Sequence, residues 1–167
     1  MLPRVKQACI AFARTAVAII ALSLWALPGH AQQSPFSDMP GSWSGTGNIT
    51  LSSGSRERIR CNATYALQAG GNDLQLALRC AADSYNFDFR ARASHSDGNI
   101  TGTWDEVVQH AAGTFTGRVD GHHIKTRAEG QTFSALLDLT TTGSRQSILI
   151  RSPGSTMSEI SIVLTRR

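Results

Sequence analysis

Cys61 and Cys80 have the residue type and spacing for one defined chemistry, the formation of a disulfide. They lie at equal distances along the chain from Gly70-Gly71. A β-hairpin that turns at these glycines would therefore place the two cysteines directly opposite each other. An ideal two-residue turn predicts a hydrogen-bonded pair with Cα atoms about 5.5 Å apart, which a disulfide can span. The alternatives are two free thiols or a metal pair, although no suitably spaced His accompanies them.

Other residues capable of catalysis or metal binding form no recognisable pattern. His122 and His123 are adjacent on a predicted strand, so they point to opposite faces and cannot easily chelate one ion. One carboxylate of Asp105 and Glu106 should point inward, but its place at a strand end predicts a solvated group. The chain shows no Ser-His-acid arrangement with a nucleophile elbow and no glycine loop before a helix. We therefore expect a non-enzymatic protein without catalytic residues, metal ligands or cofactor.

Residues 1–31 have the composition of a cleaved secretory signal peptide, which we expect to be helical. They combine a basic start, an apolar run that ends at Leu27 and a small-residue cleavage site that ends at Ala31. The apolar run is short for a transmembrane helix, and an uncleaved anchor is the alternative. Cleavage removes Cys9 and leaves two cysteines in an exported chain. That even count predicts a disulfide in a periplasmic or secreted protein.

The charge of the chain gives little support to nucleic-acid binding. The full sequence has 16 Lys and Arg against 12 Asp and Glu. The predicted signal peptide contains three of the basic residues and no acidic residue, so the mature chain has a net charge of +1 (13 − 12). A surface this close to neutral lacks the cationic character that attracts a phosphate backbone.

Alternating apolar and polar side chains, interrupted by turn residues about every ten positions, indicate an all-β domain. In the first segment Trp43, Gly45 and Ile49 share one face, and Ser44 and Thr46 share the other. We expect a single small antiparallel up-and-down barrel of about eight to ten strands, lipocalin-like or avidin-like. A sandwich would also cover the apolar faces, but closure into a barrel removes the edge strands that invite aggregation.

The domain boundaries follow from the same pattern. Residues 41–167 contain the recurring strands and turns and are assigned to the barrel. Residues 32–40 are mostly polar, contain two prolines and show no period. They predict a flexible tail between the signal peptide and the barrel.

The inward faces of the predicted strands carry aromatic side chains that suit an apolar ligand pocket. In an eight-stranded barrel such side chains can fill the core or surround one small ligand. A binding function predicts a cavity of at least a few hundred Å³, and a packed interior is the alternative. The candidate pocket residues are Trp43, Tyr65, Tyr85, Phe87, Phe89 and Trp104.

Three apolar residues break the outward polar pattern near the C-terminus. A turn at Thr142-Gly143 would pair Leu136 directly with Leu149, and Val163 is outward on the next strand. These residues form a candidate interaction patch for a second copy or a partner. The alternative is that the N-terminal tail covers them.

Short segments carry two resemblances. Gly41-Ser42-Trp43 resembles the G-x-W opening of lipocalin barrels, in which the tryptophan closes one end. Most of the mature chain resembles a family of small exported alphaproteobacterial β-proteins of unknown function. That second resemblance implies export and a β fold, and it brings no catalytic residues. It rests on Gly41-Ser42-Trp43-Ser44-Gly45, Arg58-Ile59-Arg60-Cys61-Asn62-Ala63-Thr64-Tyr65, Leu78-Arg79-Cys80-Ala81 with Asp83-Ser84-Tyr85, and Ile100-Thr101-Gly102-Thr103-Trp104-Asp105-Glu106.

Together these patterns favour an exported, soluble, non-enzymatic barrel that binds a small apolar ligand. The alternative is a protein-interaction module, such as a protease-inhibitor-like barrel, acting on a periplasmic protein through its surface or its N-terminal tail. We expect no nucleic-acid partner and no integral membrane domain once the signal peptide is removed.

Overall fold

The computed structural model describes residues 34–131 and 134–167. In it, strands whose side chains point alternately inward and outward form the wall of a closed β-barrel. In that part of the chain there are ten strands: β1 Gly41–Leu51, β2 Arg56–Leu67, β3 Asp73–Ala81, β4 Asn86–Ser96, β5 Asn99–Glu106, β6 Ala111–Asp120, β7 His123–Gly130, β8 Ser134–Thr142, β9 Arg145–Arg151 and β10 Met157–Arg166. Each strand pairs antiparallel with its neighbours in sequence, and β1 pairs with β10 to close the barrel. The predicted all-β, up-and-down fold is confirmed.

The structure tests the predictions for the N-terminal part of the chain only from residue 34 onward. The predicted signal peptide, residues 1–31, lies outside the described residues, and so do Gln32 and Gln33. Within residues 34–131 and 134–167, no helix has the length and apolar character needed to cross a membrane.

The hairpin between β2 and β3 has the predicted register, and its cysteines form the predicted disulfide. Cys61 pairs with Cys80 and their sulfurs are bonded. The loop is longer than predicted, because the Gln68 amide donates to the Asp73 carbonyl at 2.8 Å and leaves four residues between them. Hydrogen-bonded and non-hydrogen-bonded pairs alternate along an antiparallel ladder. Cys61 lies seven residues before Gln68, so the cysteines form a non-hydrogen-bonded pair. Their Cα separation is accordingly 4.1 Å, and the predicted 5.5 Å was wrong.

The hairpin between β8 and β9 differs from the prediction by one residue. Thr142 pairs with Arg145, so the turn lies at Gly143-Ser144, where Gly143 has a φ of +56°. Glycine at the first central position is typical of a type II′ turn, whereas the predicted turn placed it second. The predicted pairing of Leu136 with Leu149 is therefore wrong, since Leu136 lies opposite Arg151.

The strand directions give the barrel two different ends. The closed end holds the start of β1, the end of β10 and the hairpins β2–β3, β4–β5, β6–β7 and β8–β9. The open end holds the connections β1–β2, β3–β4, β5–β6, β7–β8 and β9–β10. Inward apolar side chains between them form the core. At Gly102 a Cβ would lie 2.3 Å from the Phe115 ring, so glycine at this position lets Phe115 lie against the wall.

The first prediction concerns the disulfide, whose cysteines are 19 positions apart in sequence. Reduction should lower the free energy of unfolding by about 3 kcal/mol, because the chain-entropy model assigns that cost to a loop of this length. Urea denaturation of oxidised and reduced protein measures the difference. A Cys61→Ala/Cys80→Ala variant is the control and should respond to reductant not at all. Equal stability of oxidised and reduced wild type would contradict the prediction.

Candidate functional site: an apolar cavity in the barrel

The segment from Ser34 to Pro40 forms a plug in the closed end of the barrel. The side chains of Phe36 and Met39 are only 1% and 2% exposed and belong to the core. Phe36 meets the ring of His95, near the end of β4, edge-on at 6.3 Å. The sequence predicted a flexible tail here, and the burial of these two side chains corrects that prediction. Only two apolar side chains of this segment face the barrel. Two positions are too few to show a hydrophobic period in the sequence.

The plug is attached to the first and the last strand of the barrel, β1 and β10. The Trp43 indole, on β1, donates a hydrogen bond of 2.8 Å to the Met39 carbonyl. The Arg166 guanidinium, on β10, lies 4.6 Å from the Trp43 ring centroid and donates to the carbonyls of Pro40 and Asp38. A planar cation stacked on indole is a favourable cation–π geometry. Trp43 therefore helps to close the barrel. The prediction that it lines the cavity was wrong.

A chain of buried polar groups crosses the interior near the closed end. The Tyr65 hydroxyl donates to Oε1 of Gln146 at 2.5 Å, and Nε2 of Gln146 donates to Oγ1 of Thr141 at 3.0 Å. Gln146 is fully buried. Burial raises the pKa of the Tyr65 phenol, because the phenolate would lose its hydration. The chain satisfies these polar groups within the protein, so the Tyr65 ring presents carbon to the interior.

Between the plug and the open end lies a cavity of about 190 Å³, lined almost entirely by carbon. It is smaller than the few hundred Å³ predicted from the sequence, because Phe36 and Met39 occupy the space at the closed end. Four of the six predicted pocket residues line it: Tyr65, Phe87, Phe89 and Trp104. Tyr85 lies outside the lining and stacks on Phe87, with ring centroids 6.3 Å apart.

The cavity meets solvent at the open end. Phe87, Phe89, Leu137, Ile150 and Ile160 line it and are half-buried, and each lies in the part of its strand nearest that end. Phe89 and Trp104 stack there with ring centroids 5.8 Å apart.

Two exposed valines lie at this same end. The connection between β5 and β6 carries Val107 and Val108, whose side chains are 40% and 48% exposed. Apolar side chains are therefore exposed at the same end of the barrel as the half-buried part of the cavity lining.

Glu106, whose place at a strand end predicted a solvated carboxylate, is a cavity residue. It is 8% exposed and part of the cavity wall. Its two carboxylate oxygens accept hydrogen bonds from the backbone amides of Asp88, at 2.8 Å, and Gln109. These bonds hold the β5–β6 connection against β4 and turn the hydrocarbon part of Glu106 toward the cavity. The signal in the sequence was its position two residues after the inward Trp104.

The candidate interaction patch lies on the outer wall, away from the cavity. Leu136 and Val163 are 50% and 36% exposed, and Leu149 is half-buried. Leu149 pairs with Asp138 and Ser161, so the three apolar residues are diagonal neighbours across β8, β9 and β10. Among residues 34–131 and 134–167, no group of three His, Cys, Asp or Glu could hold a metal ion.

Comparison with known proteins identifies the fold and no family. No family model matches this chain, and no curated protein does. The S-type phycobiliprotein lyase CPES from Guillardia theta superposes with a TM-score of 0.57 and 8% identity, over 79% of this chain and 90% of that one. Rv2717c from M. tuberculosis superposes with a TM-score of 0.62 and 14% identity, over 79% and 94%. These likenesses support the lipocalin-like barrel fold.

The second prediction concerns the attachment of the plug. Arg166→Ala should lower the free energy of unfolding by about 2 kcal/mol, because it removes a cation–π contact and two charge-assisted hydrogen bonds. It should also speed chymotryptic cleavage after Phe36. Arg167→Ala is the matched control, since the exposed Arg167 side chain donates to the side chains of Ser44 and Asn62, and its backbone amide still donates to the Ser42 carbonyl in the variant. Equal effects of the two substitutions would contradict the proposed attachment.

The third prediction concerns pH. The folded state favours the neutral Tyr65 phenol, so the resulting stabilisation is complete below the ordinary pKa of 10.0 and is lost as pH rises above it. Above pH 10 the free energy of unfolding of wild type should fall faster than that of Tyr65→Phe, by up to about 1.4 kcal/mol per pH unit. Urea titrations between neutral and alkaline pH measure both slopes. Parallel slopes for the two proteins would show that Tyr65 is not responsible.

Proposed function

We propose that this chain is an exported, non-enzymatic binding protein that holds a small apolar ligand in the open half of its barrel. The observation that carries the proposal is the apolar cavity, bounded by the plug at one end and by half-buried aromatic residues at the other. Removing apolar surface from water stabilises a complex by roughly 25 cal/mol per Å². A ligand seated in this mouth would therefore be stabilised by covering apolar surface that is exposed to water in the free protein.

The cavity is smaller than a binding function was predicted to need, so its volume limits a fully enclosed ligand to a small one. Pockets for drug-sized molecules typically enclose roughly 300–1,000 Å³, whereas this cavity has about 190 Å³. A ligand of one ring or a short hydrocarbon chain suits that volume, as does a longer molecule that is only partly enclosed. The disulfide supports a protein that folds in an oxidising compartment.

The protein-interaction alternative has less support. It predicted a packed interior and a partner surface formed by the N-terminal tail or by the Leu136 patch. The barrel contains a cavity and the segment from Ser34 is part of the core, so the exposed Leu136 and Val163 are what remains in its support. The similarity to a phycobiliprotein lyase supports the fold, and barrels of one architecture serve unrelated functions. The proposal of a binding protein therefore rests on the cavity and on its polar side chains, which form hydrogen bonds within the protein.

The fourth prediction tests this function by filling the cavity. Ala91 lies on β4 in the cavity wall, so Ala91→Phe should place a ring in the space and weaken binding of a neutral apolar fluorescent probe at least tenfold. Ala77→Phe is the matched control, because Ala77 is exposed on the outer face of β3, and it should change binding less than twofold.

Native mass spectrometry of the exported protein complements the titration. A co-purifying small mass that is lost on unfolding would identify the ligand class. Failure of wild type to bind any apolar probe, or equal losses in both phenylalanine variants, would contradict the proposed function. Urea denaturation of each variant confirms that it is folded before the comparison is made.

A further inference from the structure

We propose that the ligand is an amphiphile bound tail first, with its polar group outside the open end, and that Phe36 and Met39 set the longest tail that fits. This inference rests on the proposed function and adds the chemical class of the ligand and two specificity-determining residues. It follows from the polar groups of the wall, the order of residues along β4 and the position of the plug.

Most polar groups around the cavity form hydrogen bonds with other groups of the protein. The Tyr65 hydroxyl donates to Gln146, the Trp104 indole donates to the Thr114 carbonyl at 3.3 Å, and both oxygens of Glu106 accept backbone amides. Thr126, on β7, adds one neutral hydroxyl to the lining and is 8% exposed. One hydroxyl cannot balance a buried charge, and burial of an unpaired charged group is strongly unfavourable. A charged head group must therefore stay in water.

The open end is the side on which the head group remains. Along β4, from the open end inward, the cavity-lining residues are Phe87, Phe89, Ala91 and Ala93. The two phenylalanines narrow the mouth, and the two alanines leave room behind it. A flexible hydrocarbon tail can pass between aromatic rings and extend along the alanines, with its head at the mouth.

The plug forms the floor that such a tail would reach. Phe36 and Met39 both line the cavity and both belong to the segment before β1. Their position depends on contacts of the plug with Trp43 and Arg166, and not on the ladder that builds the wall. A smaller side chain at Phe36 would deepen the cavity without altering the mouth.

The experiment is a chain-length series of n-alkanoic acids, n-alkanols and n-alkylamines, measured by displacement of the apolar probe. Each added CH₂ should tighten binding about fourfold until the tail meets the floor, where the increase stops. All three series should stop at the same chain length, because the head group is outside. Phe36→Ala should move the limit to longer chains, and Ala93→Leu, at the deep end of the same wall, should move it to shorter ones.

Thr126→Val separates this orientation from the reverse one. It keeps the size of the side chain and removes the hydroxyl, so tail-first binding should change less than twofold. A tenfold loss would place the head group inside and overturn the inference. The inference would also fail if the length limit differed among the three head groups or stayed constant in both Phe36→Ala and Ala93→Leu. Probe binding without any dependence on chain length would refute this inference alone, whereas absence of probe binding would refute the proposed function as well.

Discussion

Pairing of β1 with β10 is the constraint on which the other features of this molecule depend. The ladder runs from Trp43 opposite Arg166 to Leu51 opposite Met157, and it joins the first strand to the last. Closure satisfies the backbone groups of both strands and leaves no edge for another chain to extend. It also brings a residue from the C-terminal end beside the segment that precedes β1. The cation–π contact of Arg166 with Trp43, and the hydrogen bonds from Arg166 to the plug, exist only in the closed barrel.

The two ends of the barrel differ in how completely the apolar interior is covered. At the closed end the chain covers its own apolar interior with Phe36 and Met39, and satisfies its buried polar groups through Tyr65, Gln146 and Thr141. At the open end it leaves aromatic and aliphatic side chains half-covered. Such exposure forgoes stabilisation that burial would provide. This difference between the ends, more than the barrel itself, is what supports a binding role.

Local patterns in the sequence were sufficient to predict the strands, the inward faces and the disulfide. Side-chain period and hairpin glycines act over a few residues, so one sequence contains them. The turn at Gly143-Ser144 was placed one residue away because Thr-Gly and Gly-Ser both fit two-residue turns. The plug, the position of Trp43 against it at the closed end and the buried Glu106 depend on contacts between distant segments. No local pattern reveals those contacts, although the alternation of side chains did place Glu106 on the inward face.

The dependence of the floor on a segment outside the barrel wall has a consequence for specificity. Wall residues take part in ladders that connect every strand to two others, so a change in their backbone positions spreads around the closed barrel. The plug contacts the barrel through side chains and a few carbonyl groups. Its apolar residues can therefore change size while the hydrogen-bonded wall keeps its register. A barrel built in this way can alter the depth of its cavity at two positions without altering its fold.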